Sequence, residues 1–255
     1  MCYDFLDEEN YWKIGLVNQG KPPVKSTDHK LQSAFSSGRK SGNLMASFSS
    51  HAYSAADIIV VDIHLDVKKA ELGNTSSYEF SYEIYEKALS QVASACKEDA
   101  LVVIETTVPP GTTENVVYPL FKKIFAKRSL NIKKLKLAHS YERVMPGPNY
   151  LDSITNFYRV FSGIDDESKE AAKKFLKSFI NTTEFPLSEM SKPTSSEMAK
   201  VLENSYRAMN IAFISEWGRY AQDAGVDLYE IIDSIRVRPT HKNIMWPGFG
   251  VGGYC

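Results

Sequence analysis

The sequence GFGVGGYC at positions 248–255 places a cysteine behind four closely spaced glycines. It contains a formal GxGxxG, but no buried strand precedes it and no helical stretch follows it. A dinucleotide-binding loop needs both, because the pyrophosphate binds to free N–H groups at a helix N-terminus. Two interpretations stay open. Either a glycine loop that includes Gly252 lets a substrate approach and presents Cys255 as a nucleophile, or the segment carries an incidental thiol.

Three polar residues share one face of a predicted helix. Lys200, Asn204 and Arg207 are spaced i, i+4, i+7, which places them on neighbouring turns. A solvated polar stripe is the ordinary interpretation. However, asparagine is a poor helix former, so its place within a helix needs another reason. A lysine and an asparagine one turn apart can donate hydrogen bonds together to an oxyanion.

Two further polar segments follow predicted strands. TTVPPGTT, with Thr107, follows the apolar run 101–104, and HSYERVMPG, with Glu142 and Arg143, follows the run 135–138. Ligands of doubly wound sheets bind at the loops after the carboxyl ends of the strands. There a hydroxyl can contact substrate or water, a carboxylate can act as a base and a guanidinium can bind an anion. Turn chemistry and surface charge are the alternatives.

The cysteines give no indication of a metal site. The chain has three, without a CxxC pair or clustered histidines, and this argues against zinc. Cys96 falls on an apolar helical stripe and is predicted to be a small core residue. An odd number of cysteines in a chain of this length indicates a reducing compartment.

The elements that must position these residues alternate between short β-branched runs and amphipathic stretches. Strands are predicted at 58–63, 101–104, 135–138 and 158–161. The helices between them are predicted from apolar faces and caps: Ile84, Ala88, Leu89, Val92, Ala93 and Cys96; Val116, Leu120, Phe121 and Phe125 behind Thr112 as N-cap; Ala171, Phe175 and Leu176 behind Asp165 or Asp166. This rhythm predicts an α/β fold with a mostly parallel, doubly wound sheet covered on both faces.

The pattern changes after Pro193. Thr194-x-x-Glu197 predicts a capping box, and a helix of about 30 residues then runs to Gly225. Its apolar positions recur at helical spacing: Met198, Val201, Leu202, Ala208, Met209, Ala212 and Phe213. Helices of this length commonly link domains or build subunit interfaces. Asp227 is predicted to cap a second, shorter helix, and the segments 33–54 and 236–255 are predicted to be loops, the first of them mobile.

Composition excludes several classes of protein. The 255 residues are 43% hydrophobic and carry 31 acidic and 30 basic side chains, so no basic footprint indicates a nucleic-acid partner. No apolar run approaches the ~20 residues that cross a bilayer, and the acidic first residues are unlike a signal peptide. These features predict a cytoplasmic protein without a nucleic-acid or membrane partner.

Four segments, taken in order, resemble one family. TTVPPGTTE, HSYERVMPG, EMAKVLENSYRAMNIAFISE and WPGFGVGGYC are similar to the NAD-dependent nucleotide-sugar 6-dehydrogenases, the UDP-glucose/GDP-mannose dehydrogenase family. The similarity runs from about Trp12 to the last residue, and the second and fourth segments look more like members that act on UDP-N-acetylhexosamines. The resemblance implies a nucleotide-sugar substrate whose C6 alcohol is oxidised twice, to the carboxylate, with NAD as cofactor.

The resemblance also implies catalytic roles. Cys255 matches the nucleophile that traps the aldehyde as a thiohemiacetal, which a second hydride loss converts into a thioester. Lys200 and Asn204 match the pair that stabilises the oxyanion at C6. Glu142 matches the carboxylate near the hydrolytic step, and Thr107 matches the hydroxyl that helps to hold a water.

Binding roles follow in the same way. Asp4 is similar in position to the acid that binds the ribose of NAD, with Thr107 and Glu142 also at the cofactor. Substrate contacts are implied for Glu142, Lys200 and Asn204 and for three further residues, Arg143, Arg238 and Gly252. The long helix matches the family's dimer-forming helix, so a homodimer is expected.

Two departures from the family pattern matter. Members begin with a strand and a GxGxxG loop, and they continue past the cysteine into a second α/β domain. The sequence is therefore predicted to be a truncated, Rossmann-like NAD-binding domain at 1–190 followed by a central helical, dimerising segment at 191–255. Without the glycine loop the diphosphate lacks its helix-terminus site, so the isolated chain is expected to be inactive or very weak.

Two other functions remain possible from the sequence. A 2- or 3-hydroxy-acid dehydrogenase of related fold can also place a lysine and an asparagine one turn apart on a long helix, and it needs no cysteine nucleophile. A non-catalytic dimerisation fragment built on the long helix would bind neither NAD nor a nucleotide sugar.

Overall fold

The computed structural model of the protein describes residues 2–3, 11–63, 65, 67–71, 73–145 and 147–248. The chain divides into two compact units, Met1–Glu197 and Met198–Cys255. Each unit has its own buried core.

Short strands and helices alternate along the described residues. The strands are β1 (Cys2–Tyr3), β2 (Ala46–Ser47), β3 (Ile58–Val61), β4 (Val67–Lys69), β5 (Tyr78–Phe80), β6 (Leu101–Ile104), β7 (Lys136–His139), β8 (Val160–Gly163) and β9 (Ser188–Glu189). The helices are α1 (Tyr11–Asn18), α2 (His29–Lys40), α3 (His51–Ala55), α4 (Glu83–Ala95), α5 (Tyr118–Lys127), α6 (Tyr150–Thr155), α7 (Asp166–Lys177), α8 (Pro193–Ala224) and α9 (Leu228–Arg236). A π-helical turn, Thr113–Val117, leads directly into α5.

The main sheet has the strand order β3-β6-β7-β8-β9. The strands β3, β6 and β7 are mutually parallel, with Ile58 opposite Leu101 and Leu101 opposite Lys136. The strand β8 pairs antiparallel with β7, and β9 pairs parallel with β8. The predicted α/β class with a mostly parallel sheet is therefore confirmed.

Helices cover both faces of this sheet. Alternate residues of β6 point to opposite sides, and all four are buried. Val102 and Ile104 join a core that includes residues of α4 and α5, whereas Leu101 and Val103 pack in a second core with residues of α7. Because both faces of β6 are apolar, its sequence LVVI shows no alternation, as expected for a central strand.

Some predicted positions differ in detail. Ile58 and Val60 of β3 are each 42% exposed, so one face of this strand is open. The fourth predicted strand begins at Val160, two residues later than expected. Ile84, assigned to an apolar helix face, is exposed, whereas Tyr85 is fully buried. One residue of α-helix turns through about 100°, so burial of the larger Tyr85 side chain rotates Ile84 towards solvent.

The prediction of a mobile loop at 33–54 is wrong. This range contains most of α2, all of β2 and most of α3. Asp28 caps α2 by accepting from the backbone N–H of Lys30 at 2.8 Å, and Leu31 is buried. A small apolar core stabilises this region, whose serines and glycines bury little apolar surface. The buried members of that core are Ile14, Val17 and Ala46.

The long helix is confirmed as α8, with 32 residues. It stops before Gly225, whose φ of +68° is a left-handed conformation that glycine adopts without strain. Many of its apolar side chains are exposed: Met198, Leu202, Tyr206, Met209, Phe213 and Tyr220. Among the described residues, no helix combines the length and apolarity needed to cross a membrane.

The second unit has a core of its own, formed by Ile214, Ala221, Leu228 and Ile232. Asp227 caps α9, as predicted, by accepting from the backbone N–H of Tyr229 at 2.8 Å. Tyr229 also stacks on Trp246, with ring centroids 5.7 Å apart. The described part of the C-terminal segment is loop apart from a short 3₁₀ turn, Pro239–His241.

The last residue of β7 is a buried histidine. His139 is fully buried, and its Nδ1 lies 2.7 Å from the hydroxyl of Ser196. That hydroxyl also lies 2.7 Å from the Ser162 hydroxyl. Burial lowers the pKa of His139 from 6.5 to about 4, because charging the ring would require desolvation of a cation.

Replacement of His139 should make the free energy of unfolding depend less on pH in the acidic range. Between pH 6.5 and about 4 the histidine takes a proton in the unfolded chain but not in the folded one. Folding stability therefore falls as the pH is lowered through this window, by up to about 3 kcal/mol from this group. The free energy of unfolding in urea, measured across the window, should fall less in His139→Asn than in the parent. His51→Asn, which changes an exposed histidine, should keep the parental slope; equal slopes in all three proteins would contradict the assignment.

Candidate functional site

Polar loops gather at one edge of the main sheet. Because β3, β6 and β7 are parallel, their carboxyl ends lie at the same edge. Asp62 follows β3, the segment 105–107 follows β6 and the segment 140–143 follows β7. The structure therefore brings Thr107, Glu142 and Arg143 to neighbouring loops, as the sequence predicts.

The two threonines after β6 have different environments. Thr106 is buried; its hydroxyl accepts from the backbone N–H of Ile63 at 2.9 Å and donates to the carbonyl oxygen of Val61. These bonds tie the end of β6 to the end of β3. Thr107 is exposed, so its hydroxyl is the one that a ligand can reach.

A buried ion pair lies beside these loops. Arg159, just before β8, pairs with Glu105, just after β6, and their side chains are 8% and 17% exposed. Arg159 also donates through Nε to the Ser140 hydroxyl at 3.2 Å. Burial lowers the pKa of Arg159 to about 10, which leaves the guanidinium charged at neutral pH. The pair is not evident from the sequence, because the two side chains come together only through the antiparallel direction of β8.

The loop after β7 orients Glu142 and Arg143. Glu142 is half-buried and accepts a hydrogen bond from the backbone N–H of Val144. The Arg143 guanidinium donates to the Tyr158 carbonyl and to the Tyr141 hydroxyl, both at 2.9 Å, and lies 5.0 Å from the Tyr141 ring centroid. Burial, followed by the nearby charge of Glu142, raises the pKa of Tyr150.

The second unit carries the predicted helix face. Lys200 is buried and Asn204 is half-buried, one turn apart in α8. Arg207 donates to Oδ1 of Asn204 at 3.2 Å, which leaves the amide N–H groups of Asn204 to donate. Arg238 is exposed. Asp4, Gly252 and Cys255 lie outside the described residues, and so does most of the glycine-rich segment.

The caps predicted near these loops are wrong. Thr112 has helical backbone angles and makes no capping bond; its hydroxyl donates to the Pro109 carbonyl oxygen at 2.6 Å. The Glu197 carboxylate instead accepts from the backbone N–H groups of Gly111 at 2.5 Å and of Thr113 at 2.8 Å. It therefore caps the helix that follows β6, not its own helix.

The N-terminus of α8 is capped in return. Glu114 accepts from the backbone N–H of Thr194 at 3.1 Å and from the Thr194 hydroxyl. The predicted Thr194–Glu197 capping box is thus replaced by an exchange of carboxylates between two helices. Both capping acids, Glu114 and Glu197, are present in the sequence, but their spacing from local residues predicts that each caps its own helix.

Metal ligands do not cluster in the part of the chain that the structure describes. No group of three or more histidine, cysteine, aspartate or glutamate side chains there is arranged to hold an ion.

Most of the chain matches the models of two domains of one protein family. Residues 5–180 match the model of the UDP-glucose/GDP-mannose dehydrogenase family, NAD binding domain, and residues 194–255 match that family's central domain. The chain belongs to the UDP-glucose/GDP-mannose dehydrogenase family. The resemblance carried by the four sequence segments is therefore confirmed.

Relatives in this family have names that specify N-acetylated sugars. The UDP-N-acetyl-D-mannosamine dehydrogenase of Methanocaldococcus jannaschii is 34% identical over 169 residues, which cover 66% of this chain and 36% of that protein. The NDP-N-acetyl-D-galactosaminuronic acid dehydrogenase of Ralstonia nicotianae is 29% identical over 250 residues, 96% of this chain and 55% of that protein. This family member thus spans between a third and just over half of these relatives' length.

A solved relative has the same fold. The structure of a UDP-D-ManNAc dehydrogenase from Pyrococcus horikoshii superposes with a TM-score of 0.81 at 26% identity, covering 99% of this chain and 55% of that one.

Breaking the Glu105–Arg159 pair of this family member should lower its stability. Arg159→Met leaves the largely buried Glu105 carboxylate without its cation, which costs about 3–5 kcal/mol. Glu105→Gln should lower the free energy of unfolding less, because the charge of Asp62 also acts on Arg159, and the double variant Glu105→Leu/Arg159→Met should recover much of the loss caused by Arg159→Met. Urea denaturation measures all three.

The exposed pair Lys97–Asp57, at 2.6 Å, supplies the control. Lys97→Met should leave the free energy of unfolding nearly unchanged, since exposed ion pairs contribute little. Equal effects of Lys97→Met and Arg159→Met would contradict the importance of burial.

Proposed function

We propose that this protein takes part in the NAD-dependent oxidation of a nucleotide sugar at C6, with a UDP-N-acetylhexosamine as substrate and a uronic acid as product. The observation that carries the proposal is that Thr107 and Glu142 lie on neighbouring loops at the carboxyl edge of a sheet that matches the family's NAD-binding domain. The substrate class rests on the names of the relatives, which specify N-acetylated nucleotide sugars.

The residues at this edge fit one end of NAD. The exposed Thr107 hydroxyl and the half-buried Glu142 carboxylate suit the polar ribose and amide groups at the nicotinamide end. The helix N-terminus after β6 does not suit the diphosphate, because Glu197 already accepts from its N–H groups. Asp4 remains our candidate for the ribose of the other end. The chemistry that each bound NAD⁺ would supply is a place for one hydride from C6, so the two oxidations would use two NAD⁺ in turn.

The chain's own residues divide the remaining chemistry. The Cys255 thiolate adds to the C6 aldehyde, and the resulting thiohemiacetal is oxidised to a thioester. Lys200 and Asn204 donate hydrogen bonds to the oxygen on C6 as it gains negative charge. Glu142 and Thr107 hold the water that hydrolyses the thioester, which releases the carboxylate and returns the thiol.

Substrate binding involves three further residues in this proposal. Arg143 and Arg238 bind anionic groups of the nucleotide sugar, and Gly252 allows the sugar to approach the backbone beside Cys255. The orientation of the Arg143 guanidinium by Tyr141 and Tyr158 supports its role.

The exposed apolar side chains of α8 support a homodimer. Met209 and Phe213 are 71% and 56% exposed, and burial of such groups against a second copy would stabilise association. In this interpretation residues 1–190 form the cofactor-binding part and residues 191–255 the dimerising part of a cytoplasmic enzyme.

Charge on this helix face should separate the subunits. We expect Met209→Lys/Phe213→Lys to sediment as a monomer under conditions where the parent sediments as a dimer, because a lysine at each position cannot be buried unpaired. Ile84→Lys changes an equally exposed apolar residue in α4 and should sediment like the parent. A parent that is monomeric at every concentration would refute the dimer.

The test of the activity uses the protein produced from the complete reading frame that contains these residues. NADH formation is measured with UDP-N-acetylmannosamine, UDP-glucose, GDP-mannose or a 3-hydroxy acid as the sole substrate. We expect two NADH for each UDP-N-acetylhexosamine consumed, and a uronic acid as product. Cys255→Ala should yield no uronic acid, since no thioester can form, whereas Cys2→Ala should behave like the parent.

Other outcomes separate the alternatives. Oxidation of a hydroxy acid that survives Cys255→Ala would favour the hydroxy-acid dehydrogenase. Absence of turnover with every substrate, together with no effect of NAD on the melting temperature, would favour a non-catalytic dimerisation protein.

A further inference from the structure

Glu197 joins two helix starts inside the first unit. Its side chain is fully buried, and its two oxygens accept separately from the backbone N–H groups of Gly111 and Thr113. Gly111 has a φ of +92°, and a Cβ built there would lie 2.8 Å from the Asn115 side chain. Glycine is therefore needed for this N–H group to point at the carboxylate.

The anchored segment is the loop that carries Thr107. At its start, Thr106 is bonded to the backbone of Val61 in β3 and of Ile63 just after it. At its end, Gly111 and Thr113 are bonded to Glu197, and the Thr112 hydroxyl lies 2.7 Å from the Tyr82 hydroxyl. Thr107 thus lies in a short loop that is fixed at both ends, and Glu197 supplies two of the bonds at the second end.

We propose that Glu197 is a positioning residue for the hydrolysis of the thioester: its carboxylate holds the loop 106–113 so that the Thr107 hydroxyl stays placed to hold the attacking water. This proposal rests on the proposed function. Glu197 acts through the loop backbone and does not touch the reacting atoms. Since small displacements of a positioned group lower turnover strongly, loss of the anchor lowers kcat and leaves the KM for the nucleotide sugar, which Thr107 does not bind, nearly unchanged.

The chain offers a closely matched control. Glu114 accepts both of its bonds from Thr194 through a single oxygen, so Glu114→Gln can retain them. Glu197 uses both oxygens, so Glu197→Gln must place an amide N–H against a backbone N–H. The two variants make the same chemical change in two paired helix caps, but only one of them breaks the anchor of the loop.

The experiment combines amide hydrogen exchange with steady-state kinetics on the protein from the complete reading frame. In Glu197→Gln we expect faster exchange at Gly111 and Thr113 and a kcat lower by roughly 10–100-fold, with the KM for the nucleotide sugar within about twofold of the parent. Glu114→Gln should match the parent in both measurements. Faster exchange with an unchanged kcat would overturn the proposal, and so would unchanged exchange.

A second variant covers the case in which glutamine prevents folding. Glu197→Ala leaves space for a small carboxylate, so added formate should restore both exchange protection and kcat, whereas formamide should not. Failure of formate to restore kcat while it restores protection would overturn the positioning role. If the parent itself turns over no nucleotide sugar, the proposed function fails and the positioning role fails with it, while the exchange data still report whether Glu197 anchors the loop.

Discussion

Two helix N-termini that meet inside a protein repel each other unless negative charge lies between them. Each helix start carries unpaired N–H groups and a partial positive charge. Here the helix that begins at Thr113 and α8 meet in this way, and each provides the acid that the other needs, Glu197 for one and Glu114 for the other. The loop after β6 and the first turn of α8 consequently depend on a single pair of carboxylates.

The sheet edge shows a related arrangement of charge. Glu105 is a largely buried acid at the end of β6, and its charge is compensated by Arg159 at the start of β8. Thr106 and Ser140 use their hydroxyls to tie strand ends to neighbouring backbone or side chains. Exposed or half-buried groups remain at the surface of the same edge, namely Thr107 and Glu142. The side chains that hold the strand ends together, from Glu105 to Ser140, are linked by hydrogen bonds and one ion pair.

Sequence patterns predicted the parts of this fold that depend on local chemistry. Apolar β-branched runs located β3 and β6, the leucines of 135–138 located β7, and the Asp227 and Asp165 caps located α9 and α7. The four motif segments identified the family. Caps that cross between helices were not predictable, because Thr194 and Glu197 have the spacing of an ordinary local capping box. The helix α2 was missed because its three serines and one glycine are typical of a loop, and only one buried leucine and a capping aspartate favour a helix there.

The antiparallel course of β8 has a consequence beyond the sheet itself. A parallel strand in this place would bring its carboxyl end to the edge, and Arg159, which precedes the strand, would lie at the opposite end. The reversal therefore supplies the cation that makes a buried Glu105 tolerable. Among related sequences, the two positions should consequently change together. A lineage that loses the arginine must also lose the acid, although 53 residues lie between them in the chain.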